Sequence, residues 1–352
     1  MLAPAATVRE LDLSTASDRD RHDAFVRERP EGTVFHLTAW GRAIAKGVGQ
    51  TPHYLVAEHG GAIVGVLPLI HVRSPIFGQS LISNAFAVYG GPIADSDTAH
   101  AALDAAAWAL AERLGVEALE YRNRARLRPD WPAKTESYVT FRRALSADSE
   151  ANLKAIPRKQ RAEVRKSLEL GLDSRVASDE RARTEHFAVY ATSVRNLGTP
   201  VFPKRLFDAL IEYYGPDADI LTVSKDGRPA AAVLSLYFRG EVLPYYGGGT
   251  PAARPLRAND HMYWMLMEHA RERGCTSFDF GRSKIGTGAF SFKKNWGFEP
   301  TPLAYEFRLA PGRAIPDVNP LNPRYKLMVE MWSRLPLWLA NRAGPLLSRG
   351  LG

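Results

Sequence analysis

The sequence of 352 residues contains a single cysteine, Cys275, which excludes an internal disulfide framework and a cysteine-based zinc site. No apolar run approaches the ~20 residues that cross a bilayer. The first residues show no basic segment followed by an apolar stretch, so we expect no secretory signal. These absences favour the cytosol. We also expect no metal site, because the histidines show no ligand spacing: His36, His53, His71, His261 and His269.

Acidic residues are outnumbered by basic ones, and the formal net charge is +8. A positive protein suits an anionic partner such as a nucleotide-like cofactor, RNA or an acidic membrane face. Simple solubility is the alternative explanation of the same charge. The length is sufficient for two domains of ordinary size, each with its own core.

The chain contains the same strand pattern twice. Residues 56–60 (VAEHG) are followed by 64–69 (VGVLPL), and residues 223–227 (VSKDG) are followed by 231–236 (AAVLSL). Each pair reads as two strands joined by a tight glycine-containing turn, which predicts a β-hairpin.

Each copy continues in the same order. A Tyr-Gly-Gly sequence at 89–91 or 246–248 leads to a helix, which ends at Gly115 or Gly274 before another strand. A repeat of this length predicts two similar domains, of mixed α/β class with largely antiparallel sheets. We place the first domain at 1–145, where a strand at 138–145 closes it. The second is placed at 146–311, ending with a strand at 303–309.

Residues 312–352 form a separate tail. Two short helices are predicted at 325–335 and 337–347, broken at Pro336, with Trp332 and Trp338 among Arg334 and Arg342. A basic, tryptophan-containing amphipathic segment can lie in an anionic membrane surface. Docking of the same helices on the body of the protein is the alternative.

Several segments in order resemble the FemAB-related group of GNAT-type acyltransferases, which have two tandem GNAT-like domains. They are residues 89–92 (YGGP), 157–166 (PRKQRAEVRK), 278–283 (FDFGRS), 292–298 (FKKNWGF) and 322–328 (NPRYKLM). The last is similar to a subgroup associated with exosortase/PEP-CTERM and exopolysaccharide systems. The resemblance covers nearly the whole chain.

The resemblance implies transfer of an acyl group to a primary amine, with acyl-CoA or an acyl-carrier-protein thioester as co-substrate and no permanently bound cofactor. A bacterial ceramide synthase is similar to this subgroup, and our main prediction is N-acylation of a sphingoid long-chain base at the inner face of the cytoplasmic membrane. One alternative is a FemAB-type transferase that uses aminoacyl-tRNA and acts on a peptidoglycan precursor. Another is a non-catalytic envelope or exopolysaccharide assembly factor.

The donor site departs from the usual GNAT pattern. Residues 254–259 (RPLRAN) stand where the family has its pyrophosphate loop, but Arg257 replaces the first glycine, which argues against ordinary acetyl-CoA binding. A basic segment at 151–170 offers further phosphate ligands, although it has none of the aromatic residues that favour RNA binding. The predicted donor-binding residues are Arg254, Arg257, Asn259, Lys294, Arg158, Arg161 and Arg165.

Amide formation needs an uncharged amine, a polarised carbonyl and an acid for the leaving group. Asp279 and Arg282 are both predicted as catalytic residues, and Asp279 is predicted to accept the amine proton or to hold the ammonium. The alternative is an ion pair of Asp279 with Arg282 that orders the following loop. The resemblance places Lys293 at the acyl carbonyl or a substrate phosphate, whereas a solvated surface lysine is the alternative. Tyr246 is predicted to protonate the leaving group, or to be buried as a structural tyrosine. Substrate contacts are predicted for Tyr89, Glu120, Tyr121, Tyr245 and Lys284.

Overall fold

The computed structural model describes residues 6–75, 77–315 and 323–352, without the side chains of 323–327. The chain forms two compact units. Of the described residues, the first comprises 6–75, 77–135, 303–315 and 346–352, and the second comprises 136–302 and 323–345. Each unit is described by itself below.

The secondary structure alternates short strands with amphipathic helices. The strands are β1 (Thr7–Glu10), β2 (Thr51–His59), β3 (Ala62–Ser74), β4 (Gly78–Ser83), β5 (Ile93–Ala94), β6 (Ala118–Asn123), β7 (Ala133–Lys134), β8 (Tyr138–Ala144), β9 (Asp173–Ala177), β10 (Ala218–Lys225), β11 (Arg228–Phe238), β12 (Glu241–Gly249), β13 (Ser277–Asp279), β14 (Ser283–Lys284), β15 (Pro300–Pro302) and β16 (Ala304–Leu309). The helices are α1 (Ala16–Glu28), α2 (Thr38–Val48), α3 (Asp97–Arg113), α4 (Ser149–Ala155), α5 (Arg158–Leu168), α6 (Glu180–Asn196), α7 (Lys204–Tyr214), α8 (Ala258–Glu272), α9 (Gly288–Asn295), α10 (Pro323–Arg334) and α11 (Leu337–Ser348).

The first unit has a mixed sheet in the order β1-β2-β3-β4-β6-β16-β7, with β5 beside β3. The predicted β2–β3 hairpin turns at Gly60 and Gly61, whose φ angles of +57° and +81° suit a two-residue hairpin turn. Among the described strands of this unit, β4 and β6 alone run parallel, and they pair at two positions, Leu81 with Leu119 and Ile82 with Glu120. Helix α3 covers one face of the sheet and contributes Leu103 and other apolar side chains to its core.

The second unit repeats this plan in the order β14-β8-β13-β12-β11-β10-β9, with β15 beside β8. Its hairpin turns at Asp226 and Gly227, again with positive φ. Its parallel pair, β12 with β13, is also two residues long, at Glu241–Ser277 and Val242–Phe278. Apolar side chains of α8 pack against a cluster of aromatic residues on one side of this sheet: Phe141, Phe278, Phe280, Trp296 and Phe298. The predicted fold of two tandem GNAT-like domains is therefore present, with mixed and mainly antiparallel sheets.

The strand predicted to close the first domain and the strand predicted to end the second each belong to the sheet of the other unit. The strand predicted at 138–145 is β8, which pairs with β13, β14 and β15 of the second unit. The strand predicted at 303–309 is β16, which lies between β6 and β7 of the first unit. Residue alternation identifies a strand but carries no information about its partner, so boundaries drawn at 145 and 311 differ from those of the compact units.

The C-terminal tail forms the two helices that the sequence predicts. Both pack against the second unit: Val329 of α10 contacts Gly198, Arg195 donates to the carbonyl of Ser333 at 3.1 Å, and Leu337 packs beside Val201. Among the residues that the structure describes, no helix is both long and apolar enough to cross a membrane.

The Tyr-Gly-Gly sequence of the first unit depends on the absence of a side chain at Gly91. A Cβ atom at this position would overlap Oδ1 of Asn123, whose amide donates to buried Glu306 at 2.5 Å. We expect Gly91→Ala to lower the free energy of unfolding by about 1–3 kcal/mol, because a well-packed polar pair must move. Chemical denaturation measures this change. Gly288→Ala is the control, since nothing lies within 4 Å of its Cβ position. Equal midpoints for both variants would contradict the prediction.

Candidate active site

The candidate active site lies in the second unit, where β12 and β13 separate. Their pairing ends at Val242 and Phe278, whereas β12 continues to Gly249 with β11 as its partner. Within the described residues, residues 245–249 therefore have no strand on their other edge. The carbonyl of Tyr246 is bonded to Nε2 of His186 at 2.7 Å, so the backbone of Gly247–Gly249 is the part of this edge that suits a bound molecule.

The glycines of β12 allow α8 to approach this edge closely. A Cβ on Gly247 would lie 3.4 Å from the Tyr263 hydroxyl, and one on Gly249 would lie 2.8 Å from Oδ1 of Asn259. Oδ1 of Asn259 is buried and has no hydrogen-bond partner among the described residues. The predicted donor contact Asn259 thus places an unsatisfied acceptor beside the opening.

Tyr263 also lies at this opening, although no motif in the sequence predicted a role for it. Its ring packs against Phe280, Phe292 and Trp296, with centroid distances of 4.9, 5.5 and 6.1 Å. Burial, together with the nearby Asp260, raises the pKa of Tyr263 to about 12, so the phenol keeps its proton at neutral pH. Tyr263 stands four residues after Asn259, which puts both side chains on one helix face. This spacing is the sequence signal that could have predicted its place at the opening.

The start of α8 has the geometry of an anion site. Arg257 occupies the N-cap position with φ +49° and makes no side-chain cap. Its guanidinium pairs instead with Glu163 of α5. The amides of the first helical turn, with Arg254 exposed just before them, therefore suit a phosphate group of a donor. Replacement of the family glycine by Arg257 preserves the left-handed turn rather than abolishing it.

Helix α5 packs beside the start of α8. Gln160 donates to Oδ1 of Asp260 at 2.5 Å, and burial raises the pKa of Asp260 to about 6. Arg158 and Arg165 are exposed, whereas Arg161 is half-buried and donates to the carbonyl of Lys154 at 3.4 Å. The structure thus brings the predicted basic helix to the predicted donor loop.

Lys293 does not lie on the surface. Its ammonium group donates to the carbonyls of Phe280, Gly281 and Arg282 at 2.6, 3.0 and 3.0 Å. Burial lowers the pKa of Lys293 to about 7, while the charge of Asp279 opposes this shift. Because an ammonium has three donors, the geometry gives Lys293 the task of holding the turn after β13.

Asp279 is fully buried in the same turn. Its Oδ1 accepts from the Thr140 hydroxyl at 3.1 Å and from the Gly281 amide at 2.7 Å, and Arg142 lies 3.5 Å from Oδ2. The guanidinium of Arg282 lies instead over the ring of Tyr138, at 4.7 Å. The geometry therefore favours the loop-ordering alternative for Asp279, with Arg142 in place of the predicted partner Arg282.

Tyr246 is buried, and its hydroxyl has no hydrogen-bond partner among the described residues. Burial raises the pKa of Tyr246, so its phenol remains protonated. Its ring lies in an aromatic cluster of the second unit: Tyr190, Phe202, Phe207 and Tyr245. Lys284 lies on β14 near the turn, and Lys294 is exposed beside Phe290.

The remaining predicted substrate contacts belong to the first unit. Tyr121 is fully buried and donates to Asp104 at 3.2 Å, and Glu120 accepts from Arg122 at 2.8 Å. These contacts stabilise the sheet. Tyr89 is buried as well, but it lines a cavity of the first unit. No cluster of three or more potential metal ligands occurs in the described part of either unit.

Comparisons with known proteins identify a matching domain family and a relative of similar sequence. Residues 157–294 match the model of an acetyltransferase (GNAT) domain. A lipid II:glycine glycyltransferase of Staphylococcus saprophyticus is 33% identical over 90 residues, which is 22% of each chain. The chain therefore spans about a fifth of the length of this curated relative.

Solved structures resemble nearly the whole chain. FemX superposes with a TM-score of 0.64 at 16% identity, covering 82% of this chain and 96% of its own. A tandem GNAT protein from the clavulanic acid pathway has a TM-score of 0.55 at 11% identity, covering 88% and 100%. L-PGS from Bacillus licheniformis has a TM-score of 0.53 at 16% identity, covering 90% and 97%. Together these comparisons confirm the predicted tandem GNAT fold and the FemAB-related resemblance.

The position of Lys293 predicts a loss of stability together with a loss of function. We expect Lys293→Gln to lower the free energy of unfolding by about 1–3 kcal/mol, because buried carbonyls lose their donor. Lys294→Gln is the matched control and should stay within about 0.5 kcal/mol of the parent. Denaturant titration, with a transfer assay on the same samples, measures both properties. Unchanged stability with lost transfer would show that Lys293 acts on the substrate directly.

Proposed function

We propose that this FemAB-related, GNAT-type protein is an N-acyltransferase that moves an aminoacyl group from aminoacyl-tRNA to a primary amine of a cell-envelope precursor. The similarity to a lipid II:glycine glycyltransferase and to FemX supports this acceptor class over the predicted sphingoid base. The resemblance to FemAB proteins implies the tRNA donor.

The observation that carries the donor assignment is the contact between α5 and the start of α8. Arg257 is held by Glu163, and the exposed Arg158, Lys159 and Arg165 extend the positive surface along α5 beyond the helix terminus. A compact pyrophosphate needs only the helix terminus and its loop. A basic helix added to that terminus suits a donor that carries several phosphates in succession.

The reaction is attack of a neutral amine on the ester carbonyl of the donor. A C–N bond forms, the ester C–O bond breaks, and the leaving ribose oxygen takes a proton. The phenol of Tyr263 is a suitable proton donor at the opening. The carboxylate of Asp260, with its pKa raised to about 6, is suited to receive the amine proton. Edge amides of residues 247–249 can polarise the carbonyl.

A second candidate is transfer from acyl-CoA to a lipid amine such as a sphingoid base. The start of α8 also suits the diphosphate of CoA, and an exposed apolar surface on the tail suits a lipid acceptor. Both candidates use the same opening for the donor carbonyl. They differ in the length of phosphate chain that α5 must bind.

The two donors are distinguished by kinetics on variants of α5. We expect the triple change Arg158→Gln, Lys159→Gln and Arg165→Gln to weaken binding of aminoacyl-tRNA and to lower its log–log salt slope by about 2, because phosphate contacts are lost. The double change Arg175→Gln and Arg181→Gln is the control, since these exposed arginines pair with carboxylates of their own segment. Mass spectrometry of the acceptor reports the product. Acylation from acyl-CoA alone, unaffected by the triple change, would support the second candidate instead.

We also propose that the tail holds the protein at the inner face of the cytoplasmic membrane, where a lipid-linked acceptor resides. Four large apolar side chains of the second unit are strongly exposed: Met328 at 54%, Met331 at 62%, Trp338 at 69% and Leu197 at 71%. Leu197 adjoins Gly198, on which Val329 of α10 packs, so loop and helix share one surface. The guanidinium groups of Arg334 and Arg342 are exposed on the same two helices and suit anionic headgroups.

Flotation with vesicles containing anionic phospholipid tests this surface. Met331→Asp combined with Trp338→Asp should lower vesicle binding by about tenfold or more, because apolar burial is lost and negative charge is added. Ile285→Asp, at an apolar side chain that is 44% exposed elsewhere in the same unit, should leave flotation unchanged. Equal flotation of the double variant and the parent protein would exclude membrane binding through the tail.

A further inference from the structure

A serine–histidine pair lies at one edge of the sheet of the second unit. Strand β9 is the last strand in the sheet order, and within the described residues it pairs with β10 alone. Ser174 of β9 stands opposite Val223, which belongs to the buried cluster that also contains apolar side chains of α8. Directly opposite residues of an antiparallel pair point to the same face of a sheet. Ser174 therefore lies on the face that α8 covers, and it is exposed at the edge.

His261, on the first turn of α8, reaches this serine. Its Nε2 lies 3.1 Å from the hydroxyl oxygen of Ser174, and its Nδ1 lies 3.4 Å from the hydroxyl oxygen of Ser167 on α5. His261 and Ser167 are both buried, whereas Ser174 is open to solvent. The imidazole is thus held between two hydroxyl groups, with one ring nitrogen directed at each.

Ser167 fixes the tautomer of this histidine. The Ser167 hydroxyl donates its single hydrogen to the carbonyl of Val164 at 2.7 Å, so its oxygen is left to accept from the imidazole. The Nδ1 atom then carries the ring hydrogen, and the lone pair of Nε2 faces the hydroxyl of Ser174. Burial lowers the pKa of His261, while its contact with Ser167 opposes this shift. The ring is therefore neutral at pH 7 and can accept a proton.

This arrangement has the parts that activate a serine. The nucleophile lies within hydrogen-bond reach of a base, and a third group orients that base. An edge strand also presents backbone N–H groups on its open side, which can stabilise the oxyanion that forms when a carbonyl is attacked. Because Ser174 is exposed on such a strand, a small ester can approach it from solvent.

We propose that Ser174 and His261 form a nucleophilic pair that hydrolyses small carboxylic esters, an activity separate from amide formation. In the first step the Ser174 oxygen bonds to the acyl carbon and its proton passes to Nε2 of His261. The ester C–O bond then breaks, and the leaving alcohol takes this proton. In the second step water attacks the acyl-serine and gives a proton to Nε2, which returns it to the Ser174 oxygen as the carboxylic acid leaves.

Hydrolysis of p-nitrophenyl acetate by the full-length protein tests the proposal. We expect Ser174→Ala to lower the rate of p-nitrophenolate release by about tenfold or more, because the nucleophile is lost. His261→Gln should lower the rate as well, because the base is lost. Mass spectrometry of acid-quenched samples should find the acetyl group on Ser174. Thermal unfolding establishes that each variant is folded, and Ser174→Ala, which removes only an exposed hydroxyl, is decisive even where the histidine variant does not fold.

Ser178→Ala is the matched control. This serine is exposed four residues after Ser174, outside β9, and its loss should leave the rate unchanged. The control accounts for ester cleavage by other nucleophiles of the surface. Equal rates for the two serine variants, or acetyl groups found on other residues alone, would overturn the proposal.

Ser167 acts through His261 and is tested by the tautomer. With ¹⁵N-labelled histidine, the ring nitrogen shifts of the parent protein should show the hydrogen of His261 on Nδ1. Ser167→Ala should move this hydrogen to Nε2, because the acceptor of Nδ1 is lost, and should lower the rate of ester hydrolysis. A lower rate with an unchanged tautomer would overturn the positioning role of Ser167.

Discussion

Both sheets depend on a parallel strand pair that is only two residues long. Leu81–Leu119 and Ile82–Glu120 form it in the first unit, and Glu241–Ser277 and Val242–Phe278 form it in the second. Antiparallel neighbours hold the strands on both sides, so the sheet stays intact at this point. Beyond it the two strands separate, and backbone groups are exposed at an edge inside the unit. An unpaired edge at this position is a constraint of the topology, and the two units place different side chains beside it.

The Tyr-Gly-Gly sequence is shared by both openings, but the glycines serve different neighbours. Gly91 makes room for the amide of Asn123, which belongs to a buried network ending at Glu306. Gly249, which directly follows the second Tyr-Gly-Gly sequence, makes room for Asn259 on α8. In the first unit the close approach stabilises the wall of a cavity. In the second it brings a helix with an uncapped start to the strand edge, where charge can be recognised. The duplicated fold has thus diverged at the residues that approach the glycines.

Much of this fold could be predicted from the sequence because its signals are local. The turns at Gly60-Gly61 and Asp226-Gly227, and the tail helices around Pro336, are encoded within a few residues. The sheet partners of β8 and β16 could not be predicted, since alternation specifies a face and not a neighbour. The partner of Asp279 was missed for the same reason. Arg142 is distant in sequence, whereas the predicted partner Arg282 is only three residues away.

Lys293, which the resemblance assigns to the substrate, has backbone acceptors for its ammonium group in this structure. Its three carbonyl acceptors belong to consecutive residues, 280–282, and Asp279 binds the amide of the second of them. The ammonium of Lys293 therefore binds carbonyls of this turn, and the carboxylate of Asp279 binds one of its amides. Removal of either side chain is expected to lower the free energy of unfolding, because its partners are buried. A substrate carbonyl at Lys293 would have to displace one of these bonds. Tyr263 and Asn259 need no such exchange, since Tyr263 is a half-buried residue and Asn259 has an acceptor without a partner among the described residues. The chemistry of the opening is therefore best placed on α8, with the turn after β13 as its rigid support.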